Sequence, residues 1–312
     1  MTTIRIGSRG SQLALWQARH IQSELEKMHP GISVTIKNIK TTGDKILDVP
    51  LAMVGGKGLF VKEIEDALLK NEIDIAVHSM KDVPVIIPEG LCIAVITERE
   101  DPRDVLLSRD GNGFFRLPSG AHIGTSSLRR ISQLLNQRQD LNISPLRGNL
   151  DTRIKKLDAG TYDAIVLAAA GILRLGWKDR ITEYLPVNIS LPAIGQGALC
   201  IECREGDRAV LKLISWLNHS ETSLCVRAER GFLRRLEGGC QVPIGAYATI
   251  TLQKSEERLE IEGFVASVDG RRMVREKMAA SLDNPEEVGV RLAESLLSQG
   301  GEEILREVYG SR

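Results

Sequence analysis

Apolar and polar positions along this chain change period several times, and the changes mark out elements. Ile4-Arg5-Ile6-Gly7 has the two-residue period of a short strand. From Gln12 to Lys27 the apolar positions, Leu13, Trp16 and Ile21 among them, fall at helical spacing, and His29-Pro30-Gly31 ends the run. Ile32 to Ile39 alternates again as a strand does, Leu59 to Leu69 predicts a helix, and Ile73-Asp74-Ile75-Ala76-Val77 predicts a buried strand. A like plan recurs in the middle. His122-Ile123-Gly124 predicts a strand that ends in Thr125-Ser126-Ser127, with a helix from about Leu128 to Gln137. Asp151 to Asp158 predicts helix, Ala159-Gly160 its stop, and Tyr162 to Ala168 a strand. The runs Ile73–Val77 and Tyr162–Val166 each follow a helix and a short turn, and each feeds a loop of small and charged residues. This is an echo of construction and not a solenoid repeat.

The last third has a different rhythm. Ser220 to Leu236 is helical, and Val242 to Leu252, Leu259 to Ser267 and Arg271 to Ala280 are strand candidates, with Val268-Asp269-Gly270 as a hairpin turn. Asn284-Pro285 starts a helix, with Pro285 at its first position, Glu287 three residues after the cap, and Val288, Leu292 and Leu296 on one face. The expected architecture is two α/β domains of like construction plus a small C-terminal α+β domain. The chain crosses between the first two near Asp101-Pro102 and Leu191-Pro192. The division is residues 1–98 with 198–216, then 99–197, then 217–312.

Composition narrows the class. Hydrophobic residues make up 42% and charged residues 26% of the 312 positions, as in a soluble globular protein. Lys plus Arg and Asp plus Glu are both 41, and this balance argues against non-specific nucleic-acid binding. No run approaches the ~18 apolar residues of a membrane span, and the N-terminus lacks the pattern of a signal peptide. Five cysteines in so long a chain favour free thiols in a reducing compartment, the cytoplasm.

The local distribution of charge is more informative than its sum. Arg9, Lys57, Lys81, Arg129, Arg130, Arg147 and Arg174 all lie in or beside loops of small residues, and Arg153 follows Arg147 on the next helical turn. Loops leaving the carboxyl ends of strands line the ligand crevice of α/β folds. Helix N-termini favour anions, and Arg grips carboxylates in a bidentate way. The set points to a pocket for a small molecule with several negative groups, although any one of these residues reads equally as a solvated charge. Asp82, after a buried strand and beside Lys81, could manage developing positive charge or protons, but locally a loop-capping aspartate is the simpler reading.

Gly55-Gly56-Lys57-Gly58 fails as a P-loop, because Leu51 stands where the first Gly belongs and Gly58 where Ser or Thr belongs. Cys200 and Cys203, three apart on a predicted strand, face opposite sides and make no joint metal or redox site. The five histidines show no metal spacing, so no metal is expected. His78 reads as a structural group, and Cys92 and Cys225 as core. Cys240, between Gly239 and Gln241, is either an accessible nucleophile or a packing cysteine.

Ordered segments along nearly the whole chain resemble the porphobilinogen deaminase family. They are Ile6-Gly7-Ser8-Arg9 with Leu13-Ala14-Leu15-Trp16-Gln17, Val54-Gly55-Gly56-Lys57-Gly58-Leu59-Phe60, and Ala76-Val77-His78-Ser79-Met80-Lys81-Asp82-Val83-Pro84. Gly124-Thr125-Ser126-Ser127-Leu128-Arg129-Arg130, Leu146-Arg147-Gly148-Asn149, Leu191-Pro192-Ala193-Ile194-Gly195-Gln196-Gly197-Ala198 and Leu236-Glu237-Gly238-Gly239-Cys240-Gln241-Val242-Pro243 continue the match. The resemblance implies two periplasmic-binding-protein-like α/β domains and a small third domain. It also implies a dipyrromethane cofactor joined to Cys240 by a thioether. In the implied chemistry each porphobilinogen loses ammonia to give an azafulvene-type electrophile, which the free α-carbon of the growing chain attacks. The linear tetrapyrrole hydroxymethylbilane is then released by hydrolysis.

By the same resemblance Lys81, Arg129, Arg130 and Arg153, with Ser11, Ser79, Thr125 and Ser127, bind the cofactor. Arg9, Arg147, Arg174, Gln17 and Phe60 meet substrate, and Asp82 contacts the cofactor and is catalytic. Phe60 and the Gly55–Gly58 loop would cover the site. A monomer is implied, with no nucleic-acid or membrane partner. A transient handover of product to uroporphyrinogen III synthase is compatible with it. Met53 departs from the Lys that relatives often carry there, and Ser108 to Arg116 reads as a variable surface loop. The reading from another class is a non-catalytic binder of a small polyanion, which would need the arginines but neither Asp82 nor Cys240.

Overall fold

A computed structural model describes residues 3–45, 60–236, 242–253 and 256–310. The expectations for Cys240, Met53 and the Gly55–Gly58 loop lie outside these residues. The described residues carry strands β1 (Thr3–Ser8), β2 (Ser33–Asn38), β3 (Ile75–Ser79), β4 (Leu91–Ile96), β5 (Asp104–Ser108), β6 (His122–Gly124) and β7 (Asn142–Ser144). They continue with β8 (Ala164–Ala168), β9 (Glu183–Tyr184), β10 (Leu199–Arg204), β11 (Ile244–Gln253), β12 (Glu256–Ala266) and β13 (Met273–Ala280). The chain divides into two compact units, residues 1–100 with 198–223, and residues 101–197 with 224–312.

The first unit holds one five-stranded sheet in the order β2-β1-β3-β10-β4. β1 runs parallel to β2 and β3, while β10 is antiparallel to both β3 and β4. Alternate residues of β3 enter two cores. Ile75 and Val77 pack with Ala18, Ile21 and Leu25 of the helix Gln12–Met28. Ala76 packs with Ile64 and Leu68 of the helix Lys62–Leu69. A strand covered on both faces must be apolar throughout, which is why this run lacks alternation. Cys203 turns into one of these cores, where its sulfur lies 4.0 Å from that of Cys92 on the neighbouring strand.

The second unit repeats this plan and adds a third layer. Its five-stranded sheet has the order β7-β6-β8-β5-β9. β6 is parallel to β7 and β8, and β5 is antiparallel to β8 and β9. Each sheet thus has three parallel strands followed by one reversed strand and an edge strand, so the echo between the Ile73 and Tyr162 runs is an echo of sheet construction. The three-stranded antiparallel sheet β11-β12-β13 packs Ile261 and Val265 on Phe232 and on Leu292 and Leu296 of the helix Pro285–Leu296. Pro285 opens that helix as expected, but the Asn284 side chain makes no capping hydrogen bond. The architecture is two α/β sheets of like construction plus a small α+β layer built on the three-stranded sheet. No helix among the described residues is long and apolar enough to cross a membrane.

One expectation is corrected. The segment Ser108 to Arg116 is not simply a variable surface loop, because Phe114 is fully buried against Leu106, Leu134 and Val166. Its backbone N–H donates to Glu183 Oε2 across 2.6 Å. The short run Gly111-Asn112-Gly113 conceals this anchor, because Phe115 beside it is exposed.

Candidate functional site

In the first unit, β3 delivers its last residue, Ser79, into a single turn of tight helix, Met80–Asp82. Met80 is buried and its N–H donates to Ala198 O across 3.0 Å, while the Val83 N–H returns to Met80 O. The turn is therefore anchored from below, and Asp82 at its end is exposed. Asp82 accepts no hydrogen bond and makes no ion pair among the described residues. The loop-cap reading of this carboxylate thus has no partner to support it. Asp82 lines one cavity with Arg9, Ser11, Gln17, Phe60, His78 and Ser79.

The neighbours of Asp82 are organised rather than loose. Gln17 is buried on the helix Gln12–Met28 and donates from Nε2 to Ser79 Oγ across 2.8 Å. Ser11 caps that helix, accepting from the Ala14 N–H at 3.3 Å. The Arg9 guanidinium stacks over the Phe60 ring, 4.3 Å from its centroid, a cation–π contact that holds both. Lys81, next to Asp82, is half-buried. Beneath the cavity, His78 Nε2 lies 3.1 Å from Glu202 Oε2, so His78 is indeed a partnered structural group. Glu65 shares this buried region, and burial, then the charges of Glu202 and Asp66, push its carboxyl up to about 7.

In the second unit the small residues after β6 lead into the helix Leu128–Gln137. Thr125 is buried and its Oγ1 accepts from the Ser127 N–H at 3.3 Å, shaping the helix entry. The Ser127 side chain occupies the cap position without making the capping bond, which leaves that hydroxyl available at a helix N-terminus. Arg129 and Arg130 are buried and converge on Asp104. Burial alone would raise the Asp104 carboxyl, but the two guanidiniums override it and hold the group far below the usual carboxylate range.

Arg147 and Arg153 bracket the start of the helix Leu150–Asp158. Gly148 between them has φ +107°, a conformation that L side chains rarely adopt. This turn lets its carbonyl accept from Arg153 Nε at 2.8 Å. Arg147 is half-buried with no ion pair or side-chain hydrogen bond among the described residues, and burial lowers its pKa. Arg174 donates from Nη2 to Gly197 O across 2.6 Å. The third layer reaches this region, since Gly245 on β11 approaches so closely that an added Cβ would lie 3.2 Å from Arg129 Cδ.

A family model described as porphobilinogen deaminase, dipyromethane cofactor binding domain, matches residues 4–212. A second, the porphobilinogen deaminase C-terminal domain, matches residues 223–298. The porphobilinogen deaminase of Geobacter sulfurreducens is 59% identical over 309 residues, 99% of this chain and 96% of that protein. That of Pelobacter propionicus is 58% identical over 306 residues, 98% of this chain and 97% of that protein.

The chain belongs to the porphobilinogen deaminase family.

Among solved structures, the substrate-binding domain of a putative molybdenum ABC transporter from Clostridium difficile aligns at 9% identity with a TM-score of 0.43, over 71% of this chain and 94% of that one. The side chains suit the family's dipyrromethane, a polyanion with ring N–H donors. Among the described residues, Arg147 is a half-buried cation without a carboxylate and Asp82 is an acceptor without a donor. Sequence reasoning overlooked Asp104, the carboxylate on which Arg129 and Arg130 converge. The available signal was an aspartate opening the apolar run Val105-Leu106-Leu107, since a buried carboxylate requires a partner of opposite charge.

Proposed function

We propose that this chain is the transferase that deaminates porphobilinogen and condenses four molecules head to tail on a covalent dipyrromethane primer, giving hydroxymethylbilane that is released by hydrolysis. The observation that carries the reading is Asp82: an exposed carboxylate on an anchored turn, with no partner among the described residues, in one cavity with Arg9, Ser11, Gln17, Phe60 and Ser79. Membership of the porphobilinogen deaminase family, over nearly the whole chain, supports it.

When bound, the dipyrromethane supplies the free pyrrole α-carbon from which the product is extended, and its thioether to Cys240 keeps it in place. Each pyrrole carries an acetate and a propionate, so charge-assisted hydrogen bonds from Arg and Lys are the natural means of holding it. We assign Lys81, Arg129, Arg130 and Arg153, with the hydroxyls of Ser11, Ser79, Thr125 and Ser127, to the cofactor. Arg9, Arg147, Arg174, Gln17 and Phe60 are assigned to incoming substrate. Asp82 accepts from pyrrole N–H groups, offsets the positive charge that develops as ammonia leaves, and takes up the proton released when the new bond forms. A carboxylate that no cation among the described residues neutralises is suited to that task. Phe60, pinned by Arg9, excludes water from one side of the cavity.

The working division is residues 1–98 with 198–216, residues 99–197, and residues 217–312, the last carrying Cys240; the three separate sheets support it. A monomer in the cytoplasm, with transient handover of product to uroporphyrinogen III synthase, completes the reading.

Intact-protein mass with peptide mapping tests it. An added mass of two porphobilinogen units less two ammonia molecules, located on Cys240, is the expected result. An unmodified thiol that persists after incubation with porphobilinogen would overturn the reading and favour a plain polyanion binder.

A further inference from the structure

Six polar contacts converge on the buried carboxylate of Asp104. Arg129 Nη1 lies 2.8 Å from Oδ2 and its Nη2 3.1 Å from Oδ1. Arg130 donates to Oδ1 from Nε at 3.0 Å and from Nη2 at 2.7 Å. Ser190 Oγ donates to Oδ2 at 2.7 Å, and Gln196 Nε2 to Oδ1 at 3.0 Å. The same guanidiniums reach backbone as well, Arg129 to Leu191 O and Arg130 to Val166 O. Gln196 also donates to Pro102 O. One carboxylate thus ties together the helix entry at Arg129, the segment at Pro102 and the returning segment from Ser190 to Gln196.

Two features suggest more than a fold-stabilising knot. The cluster contains two guanidiniums and one carboxylate, so its own charges leave one positive charge over, in a place where all three side chains are under a tenth exposed. Buried charge without compensation is costly. A guanidinium also has five donors in a fixed fork, and the Nε–H of Arg129 has no acceptor among the described residues. A surplus cation held in so buried a place calls for an anion.

We propose that Asp104 is a positioning residue for cofactor binding: it orients Arg129 and Arg130 as a pair and leaves their one surplus positive charge for a carboxylate of the dipyrromethane. The inference rests on the assignment of these two arginines to the cofactor. Asp104 touches neither cofactor nor substrate in this scheme and acts through the arginines alone. Carboxamide in its place would keep the size of the side chain but release the fork and add a second surplus charge.

The test uses the full-length chain purified without porphobilinogen, and reads the rate at which porphobilinogen builds the added mass on Cys240. Asp104→Asn is expected to load at least tenfold more slowly than the parent. Phe114→Leu, a buried apolar change in the same unit, supplies a protein of lowered stability for comparison and is expected to load within twofold of the parent. Loading of Asp104→Asn at the parental rate would overturn the proposal, as would an equal loss in Phe114→Leu. If Asp104→Asn does not fold, Asp104→Glu keeps the charge and displaces the fork by one methylene. Slow loading is again expected, and parental loading overturns the proposal. Arg129→Leu and Arg130→Leu separate the two levels. Normal loading in both removes the cofactor assignment itself, whereas slow loading in both beside normal Asp104→Asn removes only the role of Asp104.

Discussion

Gln17 Nε2 donates to Ser79 Oγ across 2.8 Å, joining the first helix to the end of the strand that carries Asp82. Replacing Gln17 by Leu keeps the bulk and removes the donor. A lost hydrogen bond of about 0.5–1.5 kcal/mol predicts a KM for porphobilinogen raised about two- to tenfold, with kcat nearly unchanged. Steady-state kinetics check this, and an unaltered KM would remove Gln17 from the substrate-binding set.

Asp82→Asn keeps the shape of the side chain and removes its charge. Because Asp82 makes no ion pair among the described residues, folding should be unaffected and the mass on Cys240 retained. Turnover should fall about 10²- to 10³-fold, the usual scale for losing one group aimed at developing charge. A fully active Asp82→Asn protein would sink the role proposed for that carboxylate.

Arg147 is the half-buried cation whose pKa burial lowers. Arg147→Gln should raise KM by about ten- to a hundredfold, the equivalent of a charge-assisted hydrogen bond of ~1.5–3 kcal/mol. The parent's KM should rise with added salt, and the variant's should respond less. Equal salt dependence in the two proteins would count against a direct meeting of Arg147 with a substrate carboxylate.

Gly148→Ala tests the turn that presents Arg147 and Arg153. The backbone there has φ +107°, and an added Cβ would lie 2.7 Å from Thr152 Cγ2. The expected destabilisation is about 1–3 kcal/mol, from backbone strain. Denaturant unfolding measures it directly. Unchanged stability would mean that the turn relaxes without cost.

Glu65 gives a pH prediction. Burial first, then Glu202 and Asp66, raise its pKa from 4.5 to about 7 in the folded chain. The folded state then binds the proton more tightly than the unfolded one. The stabilising contribution is fully present below about pH 4.5 and is lost as pH rises to about 7. Glu65→Gln should abolish that slope and make the chain more stable than the parent at pH 8, by an amount of the order of 2 kcal/mol. Parallel pH–stability curves for the two proteins would contradict the raised pKa.

Local order in this fold was legible where one period ruled a segment. The helix Leu128–Gln137 and the strand His122–Gly124 have the bounds that their pattern implied. What escaped was set at long range. The reversed strand in each sheet pairs with residues that its own sequence does not announce, as Glu202 with Ala76. Phe114 hid its burial inside a glycine-rich stretch, because an anchor's depth depends on Leu106, Leu134 and Val166 from other elements. For the site, the arginines and Asp82 were visible as residue types in loops. Asp104 was not, since its role exists only once residues 25 and 86 positions away come to meet it.

The strand order of the first sheet has a consequence for biosynthesis. Among the described strands β4 pairs with β10 alone, and β10 follows the whole of the second five-stranded sheet in the chain. As the polypeptide leaves the ribosome, residues 104–184 contain every strand of the second sheet, while β4 waits without a partner. The N-terminal sheet is therefore the later of the two to close, against the usual order in which the first-made domain folds first. During that interval β4 carries Leu91, Val95 and Ile96, which are buried in the folded chain, on a strand whose partner has yet to be made.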